Sequence, residues 1–320
     1  MKAVGMLWLA AILSLAVPTP TPAQALDGGL RIVVPYPPGG ASDRAARLVA
    51  DGLKDKLGTT VVVENRTGAG GRLAMQQLKA TPAGQHVLVV GNPALMVVAP
   101  VVFRDVGYDA QRDFVPVSHI TNYDFAVAVG SAVPVREFNH LAAWLRANPE
   151  KANFGVPATG SLPHFFALMI GDSIGVKPQI IGYRGSAPSI TDLMAGVIPV
   201  AVDTLDALLP HVSGGKLRIL AMAGAKRSSM APTIPTLRES GLDTVATGWN
   251  AMFAPATMPK EVVQRIGLAI RDVMREKETR AKFEAASMEP VSATPEQTGK
   301  MLAAYRAQWE PVVKKSGFTQ

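Results

Sequence analysis

The sequence predicts an α/β protein of two lobes, each built on its own mostly parallel sheet. Short β-branched runs alternate with longer amphipathic stretches along nearly the whole chain, the pattern of successive β–α units. The stretch "RIVVPYPPGGASDRAARLV", Arg31 to Val49, passes from an apolar strand through prolines and glycines straight into a helix. Far downstream, "ANFGVPATGSLPHFFALMI", Ala152 to Ile170, repeats that plan. A strand-end built twice suggests two sheets; one large sheet is the alternative for a chain of 320 residues.

In chain order, the N-terminus reads as an export signal. Lys2 gives a basic start, and the apolar run Met6 to Val17 is too short to span a bilayer. The segment "PTPTPAQALDGG" then breaks it, and Ala23-Gln24-Ala25 fits the small-x-small cleavage rule. Cleavage is expected after Ala25, so residues 1–25 read as a signal peptide and the mature protein is expected to be soluble and outside the cytoplasm. No later segment reaches the roughly 20 uninterrupted apolar residues of a membrane crossing.

Leu30–Pro35 is a strand stopped by prolines, and Ala41–Leu57 a helix closed by Gly58. A strand at Thr60–Glu64, a helix at Gly71–Lys79 and a strand at His86–Gly91 follow. The second series runs as strand Phe125–Val129, helix Glu137–Ala147, strand Ala152–Val156, helix Leu162–Asp172 and strand Pro178–Gly182. It continues with helix Ala187–Ala195, strand Pro199–Asp203, helix Leu205–His211 and strand Leu217–Ala223. Val245–Ala254 is a last strand, before helices at Lys260–Lys277, Thr279–Ala285 and Pro295–Ser316. "SHITNYDFAVAVG" has the look of a strand passing between lobes, and "TGWNAMFAPATMP" of a second crossing back. The expected division is residues 26–123 with 249–320 in lobe 1, and 124–248 in lobe 2.

Composition narrows the function. There are no cysteines, so stability rests on the hydrophobic core, and thiol nucleophiles, thiolate zinc sites and a lipidated cysteine are excluded. The net charge of +7 is spread without basic runs, and aromatics are only 6% of the chain. That argues against nucleic acid and leaves small anions as partners.

Parallel sheets present functional loops at the carboxyl ends of their strands. In "PYPPGGASD", Gly39 and Gly40 stand at a helix start, which is either an ordinary turn or a place where free N–H groups and the helix dipole bind a carboxylate or phosphate without a fixed cation. "PATGSLPH" repeats the device with Thr159, Gly160 and Ser161. Asp43 near the first helix start serves either stability or ligand contact, and His164 reads as packing or a hydrogen bond to its own loop rather than as a catalyst. In "IIGYRGSAPSI", Tyr183 and Arg184 follow a strand, and Arg184 either clamps a carboxylate or ties down a loop. Asn92 and Asp203 end two further strands.

With "IVVPYPPGGASD", "VVVENRTGAGGRLA", "TGSLPH", "YRGSAPSITDLMAG", "LPHVSGGKLRILAM", "AKRS" and "GWNAMFAPATMPKEVV" in this order, the chain resembles the Bug receptors, periplasmic solute-binding proteins of the tripartite tricarboxylate transporter type. The resemblance implies a type II, Venus-flytrap binding-protein fold with two crossover strands. It implies an organic acid carboxylate held by backbone and hydroxyl groups, and no cofactor. The positions carried over are Tyr36, Pro38, Gly39, Gly40 and Asp43 on lobe 1, and Thr159, Gly160, Ser161, His164, Tyr183, Arg184 and Asp203 on lobe 2. The chain departs from the family at "VGNPALMV", which keeps Asn92 but places Pro93 where a small flexible residue is usual. It departs again at "DTLDALLPH", where Thr204 replaces Asn. The expected partners are a small carboxylate and either membrane permease subunits or a sensor protein, with the receptor itself a monomer.

Enzyme motifs fail on context. "GDSIG", Gly171 to Gly175, matches the nucleophile-elbow pattern, but a helix precedes Ser173 and a strand follows, the reverse of what that turn requires. "NRTGAGGR" lacks the Lys-Ser/Thr ending of a phosphate loop. His86, His119, His140, His164 and His211 show no metal-ligand spacing, so no metal is expected. A secreted hydrolase or isomerase acting on a small carboxylate in the same cleft is the alternative function.

Overall fold

The computed structural model describes residues 26, 28–286 and 288–320; the expected signal peptide lies outside the described residues. The first α/β series is β1 (Leu30–Val34), α1 (Ala41–Leu57), β2 (Val61–Asn65), α2 (Arg72–Leu78), β3 (Val87–Gly91) and α3 (Ala99–Val102). The long strand β4 (Phe114–Gly130) leads to a second series. This comprises α4 (Phe138–Ala147), β5 (Asn153–Val156), α5 (Leu162–Ile174), β6 (Gln179–Gly182), α6 (Ser186–Ala195), β7 (Val200–Thr204), α7 (Leu205–Leu208) and β8 (Leu217–Met222). The chain returns through β9 (Thr247–Pro255) and ends in α8 (Lys260–Val273), α9 (Lys277–Ala285), β10 (Glu289–Pro290) and α10 (Pro295–Lys315).

The strands pair in the order β2-β1-β3-β9-β4-β7-β5-β6, with β8 and β10 also on β4. β1 runs parallel to β2 and β3, and β5 parallel to β6 and β7, as βαβ units require. The middle of the sheet is antiparallel, against the expectation of mostly parallel pairing: β9 opposes β3 and β4, and β4 opposes β7 and β8. Two strands that carry the chain across and back must run in opposite directions, so they meet antiparallel.

β4 changes partners along its length. Phe114–Asp124 pairs with β9, and from Phe125 onward the strand pairs with β7 and, from Ala126, with β8. The sequence pattern marks Phe125–Val129 as strand and Ser118–Gly130 as a strand passing between lobes; the observed strand begins earlier, at Phe114. A register shift at Pro116/Ser118 lies where the readable pattern stops, with a second at His119/Thr121; each bulge breaks the two-residue alternation that marks a strand. Pro116, without an N–H to donate, sits at the first of them.

Helices cover both faces. α1, α8 and α9 bury Val49, Leu53, Ile266, Ile270 and Phe283 against one face of the β1–β3 half. Gly52 lets α1 and α8 approach closely; a Cβ there would lie 2.6 Å from Val273 Cγ1. The opposite face is one continuous core running into the second half, where Phe154, Phe165 and Phe166 meet Trp249, Tyr305 and Trp309. α6 and α7 close the remaining face with Leu193, Leu205 and Leu208. α10 starts at a capping box, the Thr294 side chain accepting from Gln297 N–H while the Gln297 side chain accepts in return. The fully buried Thr298 then accepts the His119 N–H of β4 at 2.8 Å.

Candidate functional site

Strand directions alone bring the loops of the two halves together. β3 ends at Gly91, opposite Ala251 of β9. β7 ends at Thr204, opposite Phe125 of β4. Between these points β4 and β9 pair as Thr121↔Asn250 and Asn122↔Trp249. The carboxyl ends of both parallel sets therefore face one another across the paired crossing strands, the usual position of a ligand crevice in an open α/β sheet.

A cavity of ≈ 330 Å³ occupies this crevice. Tyr36, Gly40, Ala41, Ser42 and Asn92 line it from the first half, Thr121, Tyr123 and Asn250 from the crossing strands, and Thr204 and Asp206 from the second, with Met288 beside them. The N-terminus of α1 opens here. Its N-cap, Gly40, has no side chain to accept from the first-turn N–H groups, so they remain available to an anion. Hydrogen bonds brace this wall: Ser42 Oγ donates to Asn250 Oδ1 at 2.7 Å, and Asn92 Nδ2 donates to the Tyr36 hydroxyl at 2.8 Å. Burial pushes the hydroxyls of Tyr36 and Tyr123 upward, so both stay protonated and able to donate.

The remaining sequence-predicted residues fall into separate groups. Pro38 and Gly39 are exposed. The Gly39 N–H already donates to Asp43 Oδ2 at 2.9 Å. Asp43 is 2% exposed and also accepts from Arg47 and from Asn65 Nδ2. Burial alone would raise its pKa, but these donors outweigh burial and hold the carboxyl below the usual range. Asp43 thus shapes the loop.

On the second half, Pro157–Ser161 follows β5 and Tyr183–Gly185 follows β6, on the rim that carries Thr204. Thr159 is exposed, and Ser161 Oγ donates to the Ala158 carbonyl. The buried His164 accepts the Gly160 N–H at Nδ1, 2.9 Å away, and packs edge-on against Phe318. Burial lowers its proton affinity, which suits an acceptor. Gly160 has φ +79°, and a Cβ there would meet Phe318 at 2.7 Å. The segment after α10 therefore lies against this loop, while Gln320 N–H reaches the Val102 carbonyl of α3. Tyr183 donates its hydroxyl to Asp192 of α6, and Arg184 is exposed. Asp203 is 1% exposed; one carboxylate oxygen accepts the Thr204 N–H at 2.7 Å and the other has no protein partner. Burial pushes Asp203 up to about 6. Of the residues picked out for ligand contact, the cavity gathers Tyr36, Gly40 and Asn92; Thr204 was marked only as a departure from the family.

The sequence reading passed over Ser42, Thr121, Tyr123, Asn250 and Asp206. A signal was present: a polar residue inside an apolar crossing strand, such as Asn250 in "WNAMFA", has to face either solvent or a crevice.

A mixed sheet divided at two antiparallel crossing strands, with strand ends meeting over a crevice, defines a two-lobed periplasmic binding protein. The chain belongs to the tripartite tricarboxylate transporter family receptors, TctC, whose profile matches residues 45–318. It is 31% identical over 290 residues to protein BugT of Bordetella pertussis, covering 90% of this chain and 89% of that one. Among solved structures, R. palustris Rpa4515 with adipate aligns at TM-score 0.79 and 29% identity, over 91% of this chain and 98% of that one. MatC from Rhodopseudomonas palustris with bound malate aligns at TM-score 0.73 and 25% identity, over 89% and 98%. As a member of this family the protein is a periplasmic solute-binding receptor. Among the described residues no helix is long and apolar enough to cross a membrane.

Proposed function

We propose that the receptor captures a small organic acid in the crevice, with the carboxylate on the N–H groups at the start of α1. The lobes, taken as residues 26–123 with 249–320 and residues 124–248, close over it about β4 and β9 in a Venus-flytrap motion. The closed form is what permease subunits or a sensor protein recognise, with the receptor acting as a monomer after removal of residues 1–25. Closure requires only that the ligand bind the closed state more tightly than the open one.

The observation that carries this reading is the uncapped α1 N-terminus opening on a cavity whose far wall is Thr204 and Asp206. Charge-assisted hydrogen bonds contribute about 1.5–3 kcal/mol each. Three or four approach the roughly 8 kcal/mol of micromolar binding before ordering costs. Adipate and malate in the neighbours support the ligand class. Binding without turnover is supported by the Ser42 hydroxyl, which is committed to an amide oxygen; no histidine lines the cavity.

Calorimetric titration against a panel of mono- and dicarboxylic acids tests the proposal, with micromolar binding expected for at least one acid. Failure of every acid to bind would remove it, and recovery of a chemically altered acid by mass spectrometry would turn the reading toward an enzyme.

A further inference from the structure

The cavity is electrically two-ended. On one wall is the positive end of α1, at Gly40, Ala41 and Ser42. On the other is Asp206, in the first turn of α7, the only charged side chain among the lining residues. Asp206 forms no ion pair or hydrogen bond among the described residues. Three residues earlier, at the end of β7, Asp203 is buried behind the lining with one carboxylate oxygen unpartnered. Among the described residues no lysine or arginine lines the space to neutralise Asp206. A ligand bringing a carboxylate to both ends would place its second negative charge against Asp206, and like charges in a partly enclosed site repel strongly.

We infer that the solute is a carboxylic acid carrying a protonated amine at its other end, with its carboxylate on α1 and its ammonium on Asp206. The inference rests on the receptor reading above and adds the identity of the second group. It also gives Asp206 a role in specificity: the residue selects against dicarboxylates as much as it attracts amines. The remaining lining suits such a ligand, since the Thr204 hydroxyl supplies an acceptor beside Asp206 and Met288 an apolar contact for a methylene chain.

The test uses pairs matched in chain length, glutarate against 5-aminopentanoate and adipate against 6-aminohexanoate, titrated into the full mature protein by calorimetry. The amino acid of a pair should bind about tenfold tighter or more than its diacid, as expected for a desolvated charge pair replacing a like-charge contact. Asp206→Asn keeps the side-chain shape and removes the charge. It should weaken the amino acids and strengthen the diacids, bringing each pair within about threefold. Wild-type preference for the diacid, or an unchanged preference in D206N with a native circular dichroism spectrum, overturns the inference and leaves the receptor reading intact. No binding by either series, or by any simple acid, overturns both.

Discussion

Asp203 shows how a single residue sets a pH response. Its folded pKa stands at about 6 because burial disfavours the charged form, against an unfolded value of about 3.9. Between those values the native state holds more protons than the unfolded one, so this group's contribution to stability falls as pH rises. Half-buried Asp124, also pushed up to about 6 by desolvation, acts in the same direction. Buried His119, pushed down to about 4, acts in the opposite one, because the unfolded chain takes up its proton first. The wild-type slope mixes these contributions, and comparison with Asp203→Asn isolates one of them. The stability of D203N relative to wild type should rise by up to about 3 kcal/mol between pH 4 and pH 7, measured by urea unfolding at each pH. The individual site residues were only partly legible in the sequence. Gly40 could be found because a glycine at a helix start is a local pattern. Asn250 and Asp206 face the cavity only because strands distant in sequence pair in one register, which no local pattern records.

Among the elements, α10 has the longest reach. Its buried Thr298 accepts the His119 N–H of β4 and donates to the Thr294 carbonyl, both at 2.8 Å, so the helix is pinned beside a bulge in the crossing strand. Thr298→Val keeps the shape and strands a buried N–H. It should lower stability by about 1–3 kcal/mol, seen as a lower urea midpoint with an unchanged slope. Helices of this kind were readable from their spacing and caps, and α1 is observed over the residues expected. The start of β4, Phe114–Val117, was not, because Pro116 and the bulge beside it break the alternation that marks a strand. The short α3 and the turn before it were also missed, since Ala94–Val102 is apolar throughout and so shows no helical period.

At the scale of the whole molecule, the first half of the sheet is made from both ends of the chain. β1 and β2 lie early, but β3 finds its second neighbour only in β9, and the apolar face of α1 is covered by α8 and α9. The second half, from β5 to β8, is nearly contiguous apart from β4. A chain ending at Ala246 should therefore fail to protect the amides of β1–β3 in hydrogen exchange while retaining protection in β5–β7; equal protection in both would contradict this account. Synthesis delivers the N-terminal strands first and their last partners near the end. The emerging polypeptide must then carry an open strand edge and a bare helix face for most of its birth, attractive to chaperones and proteases alike, and the portion made first is the portion finished last.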